Sequence, residues 1–176
     1  MPTIVDCDRM RMNCAAMLKL AGILGLPTIA TEQNPQGLGG TVFEVAEAMP
    51  ESAVLIEKTR FSAAVPEVMD RLEQWQRPNV LIAGIEAHVC VLQSVLDLQA
   101  AGWQCWPVSE AISACQADQI PHAFDRMTRA GAVVTGVISA MYELLGESTH
   151  PAFKECLGLA KACIGGGSRV IYKNKT

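Results

Sequence analysis

Residues 79–102 constrain the fold more than any other part of the chain. Residues 80–83 (Val-Leu-Ile-Ala) form a short apolar run, which is typical of a strand buried on both faces of a parallel sheet. Gly84 permits a tight turn, and from Cys90 onward the apolar residues recur at helical spacing, at Val91, Leu92, Val95, Leu96 and Leu98. The pattern therefore predicts Cys90 in the first helical turn after a buried strand, where open α/β sheets bind ligands.

This position is consistent with two roles for Cys90. Unpaired N–H groups and the helix dipole at a helix N-terminus favour a thiolate and an oxyanion, as a nucleophilic cysteine requires. Free cysteine is also among the most buried residue types, so Cys90 fits a core position equally well. Position alone leaves both interpretations open.

The rest of the chain alternates between helical and extended patterns. This order predicts a single α/β domain over residues 1–164, with a mostly parallel sheet and right-handed crossovers. The tail over residues 165–176 begins with three glycines and ends polar and basic, which predicts a flexible extension. Helices are predicted over 8–24, 66–75, 90–101, 118–130, 139–145 and 151–162, and strands over 27–30, 54–57, 80–83, 104–108 and 132–137.

Composition narrows the classes of partner and location. The net charge of −4 argues against nucleic acid or an anionic membrane as a partner, and no apolar run approaches the length of a membrane span. The seven cysteines are scattered without a CxxC pair, which predicts a reduced, cytoplasmic chain rather than a disulfide framework or a zinc site. The histidines, at 88, 122 and 150, have no metal-ligand spacing among themselves.

Four segments carry a family resemblance. Residues 84–91 (GIEAHVCV) resemble the nucleophile segment of the isochorismatase-like cysteine hydrolases, and residues 57–62 (EKTRFS) resemble that family's lysine segment. Residues 31–39 (TEQNPQGLG) and 150–155 (HPAFKE) are similar to the branch called isochorismatase domain-containing proteins. The segments occur in the family's order, and the resemblance extends from about residue 2 to residue 162.

The resemblance implies a three-layer α/β/α, Rossmann-like fold and an Asp–Lys–Cys triad with Cys90 as nucleophile and Lys58 as its lysine. A lysine cation beside a thiol favours the thiolate, and Lys58 ends its own predicted strand, so it can share a cleft with Cys90. The family likeness also implies a non-proline cis peptide between Ile85 and Glu86. The N–H groups of Glu86 and Cys90 would then form an oxyanion hole. A small-molecule substrate, no cofactor and a homo-oligomeric state are implied as well.

Four further residues are predicted to line the substrate pocket, each with a plainer alternative. Glu32 and Gln33 follow a strand end, although a solvated loop fits them as well. Phe61 is predicted as an apolar wall or a core side chain, and His88 as a substrate contact or a structural histidine. Related nicotinamidases hold a metal through an aspartate and histidines in the loop that here reads Thr-Glu-Gln-Asn (31–34), without histidine. No bound metal and no nicotinamidase specificity are therefore expected.

The triad's aspartate is missing from its expected place. The family pattern begins with an apolar strand ending in Asp-x-Gln, and that segment would lie before residue 1. Three interpretations are open: a start upstream of Met1, a shortened substitute at Ile4-Val5-Asp6 with Asp6 as base, or a strand from the tail at residues 170–172. The second interpretation is disfavoured, because Asp6 is closer to Gly25 and Pro27 in the sequence than the family pattern requires.

Two functions follow. The first is a cysteine hydrolase that cleaves a small amide, imidate or vinyl-ether-like substrate through a covalent intermediate at Cys90. The second is a catalytically impaired family member that acts as a binding or scaffold protein. A redox or metal role for the cysteines is disfavoured by their scatter.

Overall fold

The computed structural model describes residues 3–165. Residues 166–176 of the predicted tail, including 170–172, lie outside the described residues, and Gly165, the first residue of that tail, ends the last helix. The strands are β1 (Ile29–Gln33), β2 (Val54–Lys58), β3 (Asn79–Ile85) and β4 (Gln104–Ser113). The helices are α1 (Cys7–Ile23), α2 (Pro35–Leu38), α3 (Phe43–Ala46), α4 (Pro66–Trp75), α5 (Leu92–Ala100), α6 (Gln119–Arg129), α7 (Val137–Leu145) and α8 (Phe153–Gly165). A π-helical turn, Ala87–Val91, precedes α5.

The strands pair in parallel, and the predicted α/β class with parallel strands is confirmed. β1 pairs with β2 so that Gln33 lies opposite Lys58. β3 pairs with β4, with a register shift between Ile82 and Gly84. Since strand ends of a parallel sheet meet at one edge, Lys58 and the turn after β3 lie at the carboxyl ends of their strands.

The strand predicted over residues 132–137 is wrong in extent. Only one bridge forms there, between Thr135 and Val108, although the N–H groups of Val133 and Thr135 donate to the carbonyls of Cys105 and Pro107. The segment therefore runs beside β4 without a continuous ladder. β4 itself runs past the predicted end at residue 108 to Ser113.

β4 contributes side chains to two helical layers, and the irregularity opposite Ile82 and Gly84 breaks its period-2 alternation, since Val108 and Ala111 reach the same layer. Cys105 is fully buried in a core that includes residues of α4, α5 and α6. Val108 and Ala111 are buried in a second core with residues of α1, and α7 begins with Val137 in the same cluster. A third cluster joins α1, α7 and α8 around Leu20 and Met141. Helices therefore cover both faces of the β3–β4 sheet.

The two strand pairs remain separate sheets. Within residues 3–165, β1 pairs only with β2, and β3 only with β4, so the sheet order is β2–β1 and β3–β4 with no ladder between β1 and β3. Both pairs still contribute to one core, since Ile29 and Ile56 pack against the same cluster as Val80 and Ile82. The strand that the resemblance places before residue 1 has no counterpart between them.

Candidate functional site

Lys58 ends β2 with its ammonium group drawn inward. The side chain is only 8% exposed, and Nζ donates to Gln33 Oε1 (2.8 Å) and to the carbonyls of Arg60 (3.0 Å) and Phe61 (2.9 Å). Gln33 is fixed in turn because its Nε2 donates to the carbonyl of Thr59 (2.6 Å). Three neutral acceptors therefore hold a buried cation, and no carboxylate among residues 3–165 pairs with it.

Cys90 lies in the π-helical turn and is half-buried. Ser94 links this turn to the segment after β2: its hydroxyl donates to the Cys90 carbonyl (2.6 Å) and accepts from the N–H of Ala63 (2.7 Å). Arg60 adds an ion pair with Asp97 of α5 at 2.8 Å. The segment that follows Lys58 is thus joined to helix α5, which follows Cys90.

Glu86 sits between β3 and the π-helical turn. The structure contains a cis peptide bond between Ile85 and Glu86, and the Glu86 carbonyl accepts from the N–H groups of Val89 and Val91 (both 3.1 Å). The Glu86 carboxylate accepts the N–H of Cys115 at 2.9 Å, just past the end of β4. Glu86 therefore ties the turn that carries Cys90 to the neighbouring strand.

Burial and nearby charges act on the ionisable groups of this region. Burial lowers the pKa of Lys58, and the charge of a Cys90 thiolate acts in the opposite direction, so the two groups interact. Burial acts to raise the pKa of Glu86, but the thiol and N–H of Cys115 and the charge of His88 outweigh it and lower the pKa. The hydrogen bond to Glu86 raises the pKa of the Cys115 thiol. These shifts favour an ionised Glu86 beside a neutral Cys115.

The structure separates the other predicted pocket residues by their contacts. Glu32 accepts from both the N–H (2.6 Å) and the hydroxyl (2.7 Å) of Thr41, so its carboxylate fastens its own loop. Phe61 is 53% exposed, which leaves its ring available as a wall rather than buried in the core. His88 is partly buried, with Nδ1 3.9 Å from Glu86 Oε2. A cleft of about 610 Å³ between α1 and α3 contains neither Cys90 nor Lys58.

Asp6 lies at the start of α1, on the β4 side of the molecule. The neighbouring Val5 donates its N–H to the carbonyl of Ala114 (2.9 Å), while the Asp6 side chain is 68% exposed and 3.7 Å from Arg9. Among the described residues, the hydrogen-bond partners of Lys58 do not include Asp6. The structure therefore does not bring Asp6 to Lys58.

Sequence reasoning missed the supporting contacts. It proposed Gln33 as a substrate contact, but its side chain holds Lys58, and the β1–β2 register that sets them opposite one another is not readable from either strand alone. Ser94 and Cys115 were not singled out, since each meets its partner through tertiary packing. A serine four residues after a candidate nucleophile, on the same helical face, is the only local signal for Ser94.

Comparison with known proteins identifies the family. Residues 2–139 match the model of the Isochorismatase domain, and the chain therefore belongs to the isochorismatase family. Isochorismatase domain-containing protein 2 of Bos taurus is 40% identical over 149 residues, covering 84% of this chain and 71% of that protein. Isochorismatase domain-containing protein 1 of Salmo salar is 37% identical over 147 residues, but the match spans only 51% of its length.

Solved structures agree on the fold. A MAR1 ribonuclease from Caenorhabditis elegans has a TM-score of 0.89 and 35% identity, covering 98% of this chain and 88% of that one. YcaC from Pseudomonas aeruginosa, solved with hexane-2,5-diol and covalent acrylamide, has a TM-score of 0.78 and 25% identity over 86% of this chain and 77% of that one. No helix within the described residues is long and apolar enough to span a membrane.

Proposed function

We propose that this member of the isochorismatase family is a cysteine hydrolase of small amides, imidates or related substrates. Cys90 is the nucleophile, Lys58 supports its thiolate, and the N–H groups of Glu86 and Cys90 stabilise the oxyanion. The observation that carries the proposal is the buried Lys58 ammonium, which three neutral acceptors hold at the carboxyl end of β2; burial lowers the pKa of Lys58, and the charge of a Cys90 thiolate acts to raise it. A buried cation held only by neutral acceptors is complementary to an anion that forms beside it.

The chemistry follows from these groups. For an amide, the Cys90 sulfur adds to the carbonyl carbon, and the carbonyl oxygen takes the negative charge. Collapse of this intermediate expels the protonated amine and leaves a thioester, which water hydrolyses to the acid and free Cys90. One group must carry protons to the amine and from the water. Asp6 does not take this role in the proposal, because its carboxylate is exposed and paired with Arg9.

Labelling with acrylamide tests the nucleophile. The native protein is treated with a limiting amount, and each cysteine adduct is quantified by mass spectrometry. We expect Cys90 to react first, and Lys58→Met to slow its labelling by about tenfold or more, since the thiolate loses its cation. Lys19→Met is the matched control, because Lys19 is an exposed lysine on α1. Equal labelling of Cys90 and Cys7 in the native protein would overturn the nucleophile assignment.

A substrate panel then separates the hydrolase from the binding protein. Amides, imidates and vinyl ethers are supplied at millimolar concentration, with Cys90→Ala as the blank, and product release is followed by mass spectrometry. Turnover that disappears in Cys90→Ala supports the hydrolase. Labelling of Cys90 no faster than that of the other cysteines, together with no turnover of any compound, favours the scaffold function instead.

RNA belongs in the same panel, since the Caenorhabditis elegans relative is called a ribonuclease. RNA binding depends on neutralising phosphates with lysine and arginine. This chain has 14 of these residues against 18 acidic ones. We therefore expect no Cys90-dependent cleavage of an RNA oligonucleotide, and cleavage lost in Cys90→Ala would replace the small-molecule substrate class.

The cytoplasmic location and the homo-oligomeric state stay predictions of the sequence and its family likeness. The cysteines in the described part of the chain are all free, as a reducing compartment would keep them. A relative from Phytophthora sojae is named a secreted effector, so location within the family is not uniform. Cell fractionation of the tagged chain measures it directly.

A further inference from the structure

We propose that Glu86, His88 and Cys115 form a zinc site beside Cys90, with three protein ligands and one open coordination position. One carboxylate oxygen, one imidazole nitrogen and one sulfur lie within 4.8 Å of one another. This site is separate from the loop over residues 31–34, and it uses a histidine and a cysteine whose spacing in the sequence gave no indication of a metal site. It does not depend on the hydrolase proposal.

The geometry is close to what zinc requires. Glu86 Oε2 and His88 Nδ1 are 3.9 Å apart, whereas tetrahedral zinc with ordinary bond lengths places its ligand atoms about 3.3–3.7 Å apart. Shifts of roughly 1 Å or less in side chains that are already partly buried would therefore complete the coordination. No rearrangement of the strands is needed.

His88 supplies the observation that points to a ligand. Its Nδ1 atom is buried and, among the described residues, has no hydrogen-bond partner. Buried polar side-chain atoms are normally paired, because leaving one unpaired costs about 1–3 kcal/mol. A metal ion between Nδ1 and the Glu86 carboxylate would use that lone pair.

The backbone gathers the three ligands in advance. Glu86 precedes the π-helical turn and His88 lies within it, so both follow β3. Cys115 follows β4, and its N–H donates to Glu86 Oε2, which fixes the loop against the carboxylate. Pairing of β3 with β4 thus brings together ligands far apart in sequence.

The chemical type of the three ligand atoms indicates which metal ion the site would bind. A thiolate with an imidazole suits zinc, whereas magnesium and calcium prefer oxygen ligands alone. Three protein ligands leave a fourth coordination position for water, which is the pattern of catalytic rather than structural zinc sites. Bound zinc would also cross-link the turn that carries Cys90 to the loop after β4.

Metal titration of the full chain tests the proposal. After treatment with a chelator, Zn²⁺ is added in a calorimeter, and Co²⁺ is added separately while absorption is recorded. We expect one equivalent to bind, with the thiolate-to-cobalt band of a tetrahedral site. Cys115→Ser should remove the band, and His88→Ala should weaken Zn²⁺ binding by more than about 100-fold, since even outer-shell partners contribute 10–100-fold.

Two controls assign the sulfur. Cys163→Ser removes a half-buried thiol of α8 and should bind both metals like the native chain. Cys90→Ser should keep the cobalt band, and loss of the band there but not in Cys115→Ser would overturn the assignment. Zn²⁺ should raise the thermal midpoint of the native chain but not that of His88→Ala. This measurement tests the site even if the Cys115→Ser variant fails to fold. No stoichiometric binding by the native chain would also overturn it.

Discussion

Cys105 shows how a single buried thiol makes the free energy of unfolding depend on pH. The side chain is fully buried in the core between β4 and the α4–α6 layer, and burial raises the pKa of its thiol from 9.0 to about 12. The folded chain therefore keeps the proton that the unfolded chain loses above pH 9. Its contribution to the free energy of unfolding is complete below pH 9 and is lost as the pH rises toward 12.

We expect Cys105→Ala to flatten this alkaline decline. Between pH 9 and about pH 10.5, the native chain should lose about 1.5 kcal/mol more of its unfolding free energy than the variant does. Urea titrations at several pH values measure both slopes. The absolute stability of the variant falls because a small cavity forms, so the slopes are compared. Identical slopes would contradict a neutral, buried Cys105.

Asp6→Asn tests the shortened-substitute interpretation at the same scale. If Asp6 were the base, removing its charge would lower turnover by a factor of about 10²–10⁴. Since Asp6 is exposed and paired with Arg9, we expect turnover to change by less than about threefold. The measurement is kcat on whichever substrate the panel identifies. A loss of a hundredfold would restore Asp6 as the base.

At the scale of elements, the sequence predicted those helices and strands whose apolar residues repeat regularly over several residues. The helix predicted over 8–24 is α1 (Cys7–Ile23), because its buried side chains recur at helical spacing. α2 (Pro35–Leu38) and α3 (Phe43–Ala46) were not predicted, since one turn is too short to show a period. The strand over 132–137 was overestimated because an apolar run does not reveal whether a partner ladder forms.

The residues of the candidate site likewise fall into those that local sequence predicts and those that only the tertiary structure reveals. Cys90 and Lys58 stand at strand and helix boundaries that local patterns reveal, and the family likeness gave them roles. Gln33 and Cys115 acquire theirs from pairing between strands, which depends on packing far along the chain. Local sequence therefore predicts where a site can form, and tertiary pairing decides which side chains complete it.

The separation of β1 from β3 leads to a prediction about elements. We expect an apolar strand ending in Asp-x-Gln, added before Met1, to pair with the β1 and β3 edges that carry no ladder in the described structure. Two new ladders would raise the urea midpoint. The new aspartate, at the carboxyl edge with Lys58 and Cys90, would raise turnover by about a hundredfold or more.

An extension with asparagine in place of that aspartate is the matched control. It should gain the same stability without the gain in turnover, because pairing and proton transfer use different groups of the added segment. Circular dichroism during urea unfolding and product release are measured on both versions. An extension that leaves the urea midpoint unchanged would show that the gap between the strand pairs is not a strand site.

At the scale of the whole molecule, exposed apolar side chains bear on the predicted self-association. Three of them lie in the segment between β1 and β2: Leu38 is 56% exposed, Val42 41% and Phe43 69%. Apolar side chains gathered in this way on a surface mark sites of protein association. The predicted homo-oligomer would therefore bury this segment rather than leave it in water.

Phe43→Asp tests that surface. A charge placed in a buried interface is costly, so light scattering on the eluting protein should show a smaller mass for Phe43→Asp than for the native chain. Val134→Asp is the control, because Val134 is also exposed (39%) but lies in the segment beside β4. If the native chain elutes as a monomer at all concentrations, the homo-oligomer is wrong. If Val134→Asp dissociates it instead, the interface is at the β4 edge.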